Sequence, residues 1–364
     1  MKVIISAGGT GGHIYPALAI INKIKEKEKD SEFLYVGTHN RMEKDLIPKL
    51  NIKYIPLEII GFNRKKLLSN FKTIKLFLKA RKKSKQIIKE FKPDVVIGCG
   101  GYVTAPLISE ASALGIPTFI HEQNSVVGLS NKFLSRYATK IGVSFESTIS
   151  SFPKGKAIYT GNPCSENAFN IKPATKKEFG VNITSKLVLI VMGSLGSTSV
   201  NDKIVKIIPK FKDKKYEIIF VTGNNYYEKI KDIKVPKNIH ILPYVSDMPR
   251  LMKITDLMVS RAGASTMSEI SALEIPTIFI PSPYVPNNHQ YKNAYDWVTK
   301  ESAMLLEEKD LNENNLIEMI DNLLNDKEKY NKIKNNLSKL KVTDSALRIY
   351  NIIKEMVDNN GRVN

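Results

Sequence analysis

Cysteine is nearly absent from this 364-residue chain. The two present, Cys99 and Cys164, each stand beside glycine or proline in a loop-like stretch and form no C-x-x-C pair. This argues against a disulfide framework and against structural zinc, and reads as reduced thiols in a cytosolic protein. Long apolar runs are missing too. Crossing a bilayer takes about 20 apolar residues, and no segment supplies them. The chain runs directly into an apolar strand pattern, Lys2–Ala7, without the basic flank, apolar core and small-residue cleavage site of a secretion signal. A cytosolic location is therefore expected. There is no strict repeat and no low-complexity tract. Acidic residues are short: 36 against 55 Lys and Arg, a net charge of +19. Such a charge leaves nucleic acid, an anionic membrane and anionic substrates open as partners. A lysine-rich proteome would produce it with no partner at all, so the local distribution of charge is more informative than the total.

What is present suits two α/β domains of ordinary size, each able to bury its own core. Lys2–Ala7, Phe33–Gly37, Val95–Gly98, Thr118–His121 and Ile141–Phe145 are short, rich in β-branched residues and bounded by turn residues, the marks of buried parallel strands. Helical patterns lie between them, including Pro16–Lys29 and Leu67–Phe91. This alternation is the βαβ rhythm of a doubly wound sheet. It restarts after Gly161-Asn162-Pro163 with Leu187–Met192, Glu217–Thr222, Leu257–Ser260 and Thr277–Pro281. Residues 1–162 are thus expected to form one domain and 163–341 a second. Leu311–Val357 is mostly helical, and a last helix at about 342–360 is expected to pack back on the first domain.

Three glycine-rich stretches follow strands and precede helices. Gly8-Gly9-Thr10-Gly11-Gly12-His13 follows the first strand, with a helix expected from near Pro16. Gly98-Cys99-Gly100-Gly101-Tyr102 ends another strand of the same half. Gly193-Ser194-Leu195-Gly196-Ser197 follows Leu187–Met192 in the second half. Glycine lets backbone N–H groups approach a phosphate closely, and a helix start adds partial positive charge. The first stretch lacks the Gly-Lys-Ser/Thr ending of a Walker A loop and the G-x-G-x-x-G spacing of a dinucleotide site. Ligands in open α/β sheets sit at the strands' C-terminal edge. Two loops in the first half suit a diphosphate, and a third in the other half suggests a ligand held in a cleft between domains.

Taken in order, Gly9-Thr10-Gly11-Gly12-His13, Gly100-Gly101-Tyr102-Val103, His121-Glu122-Gln123-Asn124, Gly161-Asn162-Pro163, Gly193-Ser194-Leu195-Gly196, Ser268-Glu269 and His289-Gln290 resemble the MurG family over nearly the whole chain. The resemblance implies the GT-B fold, two Rossmann-like domains facing a cleft. It implies inverting transfer of GlcNAc from UDP-GlcNAc to the MurNAc 4-hydroxyl of lipid I, giving lipid II. The first domain would serve the acceptor and the membrane, and the second would bind UDP-GlcNAc. No cofactor beyond the donor is implied, and no metal: the D-x-D pair of metal-dependent transferases is absent. Implied partners are lipid I, the anionic cytoplasmic face of the bacterial cell membrane as a peripheral location, and cell-wall synthesis proteins.

By this resemblance the catalytic candidates are His13, Asn124, Glu122 and Tyr102. His13 is the first choice for the general base, since an unperturbed imidazole titrates near pH ~6.5. The run His121–Asn124 places four polar residues after an apolar strand, which is costly unless they are used. Asn124 would contact the donor sugar, and Glu122 would shape the acceptor site. The acceptor diphosphate is assigned to Gly9, Gly12, His13, Gly100, Gly101 and Tyr102. The donor is assigned to Thr10, Gly11, Gly12, Asn124, Ser194, Tyr244, Val245, Ala264, Ser265, Thr266, Glu269 and Gln290. Within that set Glu269 would accept from the ribose hydroxyls, since a carboxylate offers several acceptor sites. Tyr244 and Val245 would read the uracil, and Gln290 the sugar hydroxyls. One departure stands out: many relatives carry an arginine after Gly161-Asn162-Pro163, where this chain has Cys164-Ser165-Glu166. Arg261 or the loop amides are the remaining candidates for neutralising phosphate there.

Charge is concentrated in Arg64–Lys92, whose one acidic residue is Glu90. Leu67, Phe71, Ile74, Phe77 and Leu78 fall at helical spacings among the lysines. A basic amphipathic helix reads as a membrane-surface element; a core-facing helix with a solvated lysine face is the plainer reading, and both can hold on different stripes. Among rival functions, another GT-B UDP-sugar transferase or a UDP-GlcNAc epimerase would share the donor chemistry but not the first-half loops. An NAD-dependent oxidoreductase would need an acid about 20 residues after its glycine loop, and Asp30 and Glu32 are poorly placed for that. A basic nucleic-acid-binding protein has only the charge in its favour, without stacking aromatics or a helix-turn-helix pattern, so no nucleic acid is expected.

Overall fold

The computed structural model describes residues 1–61, 70–193 and 196–361. Ser194 and the part of the basic stretch that includes Leu67 lie outside the described residues. The chain divides into two compact units, Met1–Cys164 with Asp344–Asn364, and Ser165–Thr343.

In the first unit the apolar runs form strands and the amphipathic stretches between them form helices. In order these are β1 (Lys2–Ser6), α1 (Gly11–Lys27), β2 (Glu32–Thr38), α2 (Glu43–Lys49), β3 (Lys53–Leu57), α3 (Asn70–Phe91), β4 (Val95–Gly98), α4 (Thr104–Ala113), β5 (Thr118–Glu122), α5 (Leu129–Leu134), β6 (Lys140–Val143) and β7 (Ala157–Tyr159). The strands make one parallel sheet in the order β3-β2-β1-β4-β5-β6-β7. A parallel sheet is covered on both faces, so its strands are apolar throughout. Alternation along β1 sends Val3 and Ile5 to one face, against Ile14, Ala17, Ile21 and Ile24 of α1, and Ile4 to the other, with Ile87 and Leu107.

In the second unit α6 (Cys164–Asn170) leads to β8 (Lys186–Val191), α7 (Thr198–Ile207), β9 (Tyr216–Val221), α8 (Asn224–Ile230), β10 (Ile239–Leu242), α9 (Met248–Met252), β11 (Leu257–Ser260), α10 (Ala264–Leu273), β12 (Thr277–Phe279), α11 (His289–Val298), β13 (Met304–Leu305), α12 (Glu313–Asn325) and α13 (Lys327–Leu340). Its parallel sheet runs β10-β9-β8-β11-β12-β13. The last helix, α14 (Ser345–Gly361), belongs to the first unit. Its Ile349, Ile353 and Met356, spaced four and three apart on one helix face, join the core beside α1. The Tyr350 hydroxyl donates to Glu28 Oε1 at 3.0 Å.

The doubly wound architecture read from the sequence is thus present twice. One boundary moves with chemical consequence. The first helix starts at Gly11, not near Pro16, and Pro16 lies inside it. A proline after a glycine loop reads naturally as a helix start. Here the turn is closed earlier, by His13 N–H and Ile14 N–H donating to Thr10 O at 3.1 and 3.2 Å. Gly11, Gly12 and His13 are therefore the first turn itself. Cys164 is likewise the first residue of a helix rather than part of a loop.

Candidate active site

Strand order explains why the glycine loops matter. In the first sheet β1 and β4 are neighbours, with β2 and β3 beyond one and β5 to β7 beyond the other. That is a topological switch point, where connections leave in opposite directions and open a crevice at the C-terminal edge. The loops after β1 and β4 meet there. Gly8 N–H donates to Gly100 O at 3.2 Å. His13 Nδ1 lies 3.0 Å from Gly8 O. A carbonyl only accepts, so Nδ1 carries the proton and Nε2 keeps the basic lone pair. Both glycines of the second loop are required by close approach. A Cβ on Gly100 (φ +108) would come within 2.5 Å of His13 Cδ2, and one on Gly101 (φ +86) within 2.6 Å of Gly8 O. The N–H groups of Thr10, Gly11 and Gly12 have no hydrogen-bond acceptor among the described residues. They are unsatisfied donors at the positive end of α1. Gly9 N–H is different: it turns inward to Glu43 Oε2 at 3.3 Å. Tyr102 is half-buried and packs over Gly61, where a Cβ would sit 3.2 Å from its ring.

The polar run at the end of β5, whose last two residues are His121 and Glu122, is buried at His121, Glu122 and Gln123. Burial lowers the His121 pKa to about 4, so the ring is neutral. Its Nε2–H donates to Gly161 O at 3.0 Å, and Nδ1 accepts from Gln123 Nε2 at 3.1 Å. Gln123 Nε2 also reaches Cys99 O at 2.9 Å. The ends of β4 and β5 and the Gly161 turn are tied together in this way. Glu122 organises its own loop. Oε1 accepts from Asn124 N–H at 3.0 Å and from Asn124 Nδ2 at 3.3 Å, and Oε2 from Gly128 N–H and Asn131 Nδ2, both at 2.9 Å. Glu122 was expected to shape the acceptor site; its carboxyl shapes the loop that carries Asn124, because four nearby N–H groups converge on it. Cys99 is fully buried, and burial pushes its thiol well up, so it is inert.

The second unit repeats the logic. Its switch point lies between β8 and β11. The turn after β8 contains Gly193 (φ +87) and Gly196 (φ +72), and a Cβ on Gly196 would come within 2.1 Å of Thr222 O. After β11, α10 begins at Ala264, and its first bond within the turn comes from Met267 N–H to Gly263 O. The amides of Ala264, Ser265 and Thr266 are left open at a helix start. The buried Ser265 Oγ has no hydrogen-bond partner among the described residues. One turn further, Glu269 is half-buried with no hydrogen-bond or ion partner among the described residues, and burial raises its carboxyl to about 8. Ser265 and Glu269, four apart, share a helix face. Tyr244, 48% exposed, and the half-buried Val245 follow β10 at the same sheet edge. Gln290 Oε1 accepts from Ser282 N–H at 2.9 Å, which fixes the amide and leaves Nε2 to donate.

Arg261 is not available for phosphate. Its Nη1 donates to Ile280 O at 2.9 Å, and Nη2 meets Ser197 Oγ at 2.7 Å and Glu308 Oε2 at 2.6 Å. Glu308 also accepts from Ser199 Oγ at 2.6 Å. Arg261 thus anchors the start of α7. Of the two alternatives raised by Cys164-Ser165-Glu166, only the loop amides remain. Glu43, Asn131 and Glu308 were not singled out from the sequence. Each acts on a residue that strand order or a loop brings near, and a lone acid or amide carries no local pattern.

Helix α3 presents two stripes. Ala80, Ser84, Ile87 and Ile88 are buried, while Phe71, Ile74 and Leu78 are 74%, 52% and 57% exposed. Lys72, Lys75 and Lys79 interleave with the exposed set. The Phe77 ring meets Phe133 of α5 edge-on at 6.4 Å, and Phe133 and Leu129 are also exposed. No helix among the described residues is long and apolar enough to cross a membrane.

Comparison with known proteins is consistent with this geometry. The N-terminal domain model of glycosyltransferase family 28 matches residues 3–143, and the C-terminal domain model matches residues 187–349. The chain is 44% identical over 361 residues to the UDP-N-acetylglucosamine–N-acetylmuramyl-(pentapeptide) pyrophosphoryl-undecaprenol N-acetylglucosamine transferase of Bacillus pumilus, covering 98% of this chain and 99% of that protein. It is 45% identical over 362 residues to a like-named enzyme of Bacillus cereus, covering 98% and 100%. Among solved structures, MurG of Acinetobacter baumannii superposes with a TM-score of 0.79 at 26% identity, covering 97% of this chain and 99% of that one. A UDP-GlcNAc 2-epimerase from Neisseria meningitidis, bound to UDP-GlcNAc, superposes with a TM-score of 0.68 at 17% identity over 98% of this chain and 100% of that one, and shares the fold.

Proposed function

This chain belongs to glycosyltransferase family 28, and from that membership we propose how its residues divide the work. The enzyme transfers N-acetylglucosamine from UDP-N-acetylglucosamine to the MurNAc 4-hydroxyl of lipid I, with inversion, giving lipid II for peptidoglycan. Residues 1–162 with the last helix serve the acceptor and the membrane, and 163–341 hold the donor. The open N–H groups of Gly12 and of Gly11, which moves here from the donor set because its amide opens from the same first turn of α1, receive the acceptor diphosphate, beside Gly100, Gly101 and Tyr102. His13 Nε2 takes the proton of the 4-hydroxyl as its oxygen attacks the anomeric carbon. The bond from that carbon to the β-phosphate oxygen breaks, and UDP leaves with the electron pair. One displacement with no covalent intermediate inverts the configuration. Negative charge develops on the leaving diphosphate, where the open amides of Ala264, Ser265 and Thr266 and the Ser265 hydroxyl stabilise it; one such donor contributes roughly 2.7–4 kcal/mol. Glu269 accepts from the ribose hydroxyls, Tyr244 and Val245 frame the uracil, and Gln290 Nε2 and Asn124 address the sugar. This scheme gives no role to a metal ion or further cofactor.

The exposed Phe71, Ile74 and Leu78 among lysines support docking on the anionic cytoplasmic face of the cell membrane, where each basic residue near the surface contributes about 1 kcal/mol. The observation that carries the catalytic reading is His13 with Nδ1 satisfied by Gly8 O and Nε2 left basic, one residue from unpaired phosphate-type donors. It is tested by GlcNAc transfer to a short-chain lipid I analogue. His13→Ala is expected to lose at least ~100-fold in kcat with donor affinity kept, and Glu269→Ala to lose donor affinity. Full activity of His13→Ala would remove it as the base.

A further inference from the structure

Glu43 is the first residue of α2, yet its side chain is completely buried under the first glycine loop. Three donors converge on it. Oε1 accepts from Thr38 N–H at 3.0 Å and from Thr38 Oγ1 at 2.6 Å, and Oε2 accepts from Gly9 N–H at 3.3 Å. The contact is close throughout: a Cβ on Gly8 would stand 2.9 Å from Oε1, and one on Gly37 2.8 Å from Glu43 Cγ. A buried acid is costly unless its lone pairs are used. The use found here is to hold one peptide of a loop whose next three amides, those of Thr10, Gly11 and Gly12, face no acceptor among the described residues.

We propose that Glu43 is a positioning residue for the acceptor diphosphate: it draws Gly9 N–H inward and so sets which amides of the loop are offered to phosphate. Gly9 sits at φ +99, a conformation that glycine adopts freely and equally freely leaves. Without an acceptor beneath it, that amide is one more donor competing for the ligand, and the Thr10–Gly12 amides lose their fixed direction. With it engaged, the loop presents the amides of Thr10, Gly11 and Gly12, and His13 keeps its bond to Gly8 O. Glu43 touches no substrate in this scheme and acts through the backbone. The inference rests on the reading that this loop holds the acceptor diphosphate.

Glu43→Gln preserves shape but puts an NH2, which cannot accept, where one carboxyl oxygen was. Steady-state rates with UDP-GlcNAc and the short-chain lipid I analogue are expected to show an acceptor KM raised roughly 10- to 100-fold, as for loss of a bond to a charged group, with the donor KM unchanged. A residue that only supported the fold would lower the active fraction and leave both KM values alone. Glu43→Asp, which keeps two acceptors on a shorter stem, is expected to recover part of the effect. If Glu43→Gln does not fold, Thr38→Val, which loosens the same carboxyl, must raise the acceptor KM selectively by a smaller factor. Gly12→Val tests the underlying reading, since Gly12 is exposed and a Cβ there meets nothing nearer than Thr10 Oγ1 at 3.7 Å. An acceptor KM raised in Gly12→Val but unchanged in the Glu43 or Thr38 variant overturns the role of Glu43 alone. Acceptor KM values unchanged in both overturn the acceptor loop as well.

Discussion

Glu269 holds an unshared carboxyl at a helix face beside the unpaired Ser265 hydroxyl, and burial raises its pKa from the ordinary 4.5 to about 8. The raised value favours the protonated form in the folded unit. Its contribution to stability is therefore present below about 4.5 and is lost as pH rises through about 8. Thermal unfolding at pH 5 and at pH 9 is expected to show Glu269→Gln gaining on the wild type as pH rises; parallel curves would refute the burial argument. Hydroxyl donors on a ribose favour the charged carboxylate. UDP binding at pH 7 should therefore release protons, seen by calorimetry in buffers of different ionisation enthalpy, and the release should vanish in Glu269→Gln. At this scale the sequence was legible where a residue sits inside a run of pattern, as Glu269 does after Ala264–Ser268. It was not legible for Glu43 or Asn131, whose partners are set by the strand and loop beside them. Arg261 shows the converse: a well-placed cation in the sequence is spent on Glu308 and Ser197 in the fold.

At the scale of elements, helix starts carry most of the open backbone donors of the proposed site. The first turn of α1 begins five residues before the proline that seemed to announce it, because Thr10 O already accepts from His13 and Ile14. A proline within the helix forfeits one backbone bond but does not prevent a turn from forming ahead of it. Strands β3, β7, β10 and β13 went unread for a related reason. They are short and only partly buried, and β3 includes Pro56, so they lack the continuous apolar run of central strands. Helix α3 was read as carrying a packed stripe and an exposed one, and the two are separate on the folded unit. Phe71→Glu with Leu78→Glu is expected to weaken binding to vesicles containing anionic lipid by at least ~10-fold, in a salt-dependent assay, while kcat on the water-soluble acceptor analogue stays the same. Unchanged vesicle binding would assign membrane contact to another surface.

For the whole molecule, two compact units, each with its own sheet, imply two folding units, and the proposed scheme gives UDP to the second. UDP at 100 times its Kd should stabilise the second unit by about 2.7 kcal/mol, raising one calorimetric transition. Ile353→Ala opens the core between α14 and α1, should cost the first unit about 2–5 kcal/mol, and should leave UDP affinity intact; a lost UDP affinity would show that the cores are not separate. The sequence by itself determined the class of fold, the order of the central strands along the chain and the three glycine loops, since burial and turn geometry act on neighbouring residues. It also determined the family, because motifs keep their order along a chain. Only the tertiary structure decided that Gly100 makes room for His13, that Glu43 lies beneath Gly9 and that Arg261 is committed elsewhere. Those contacts depend on which strands lie side by side, and strand order in a parallel sheet is settled by the packing of helices over both faces rather than by any local run of residues.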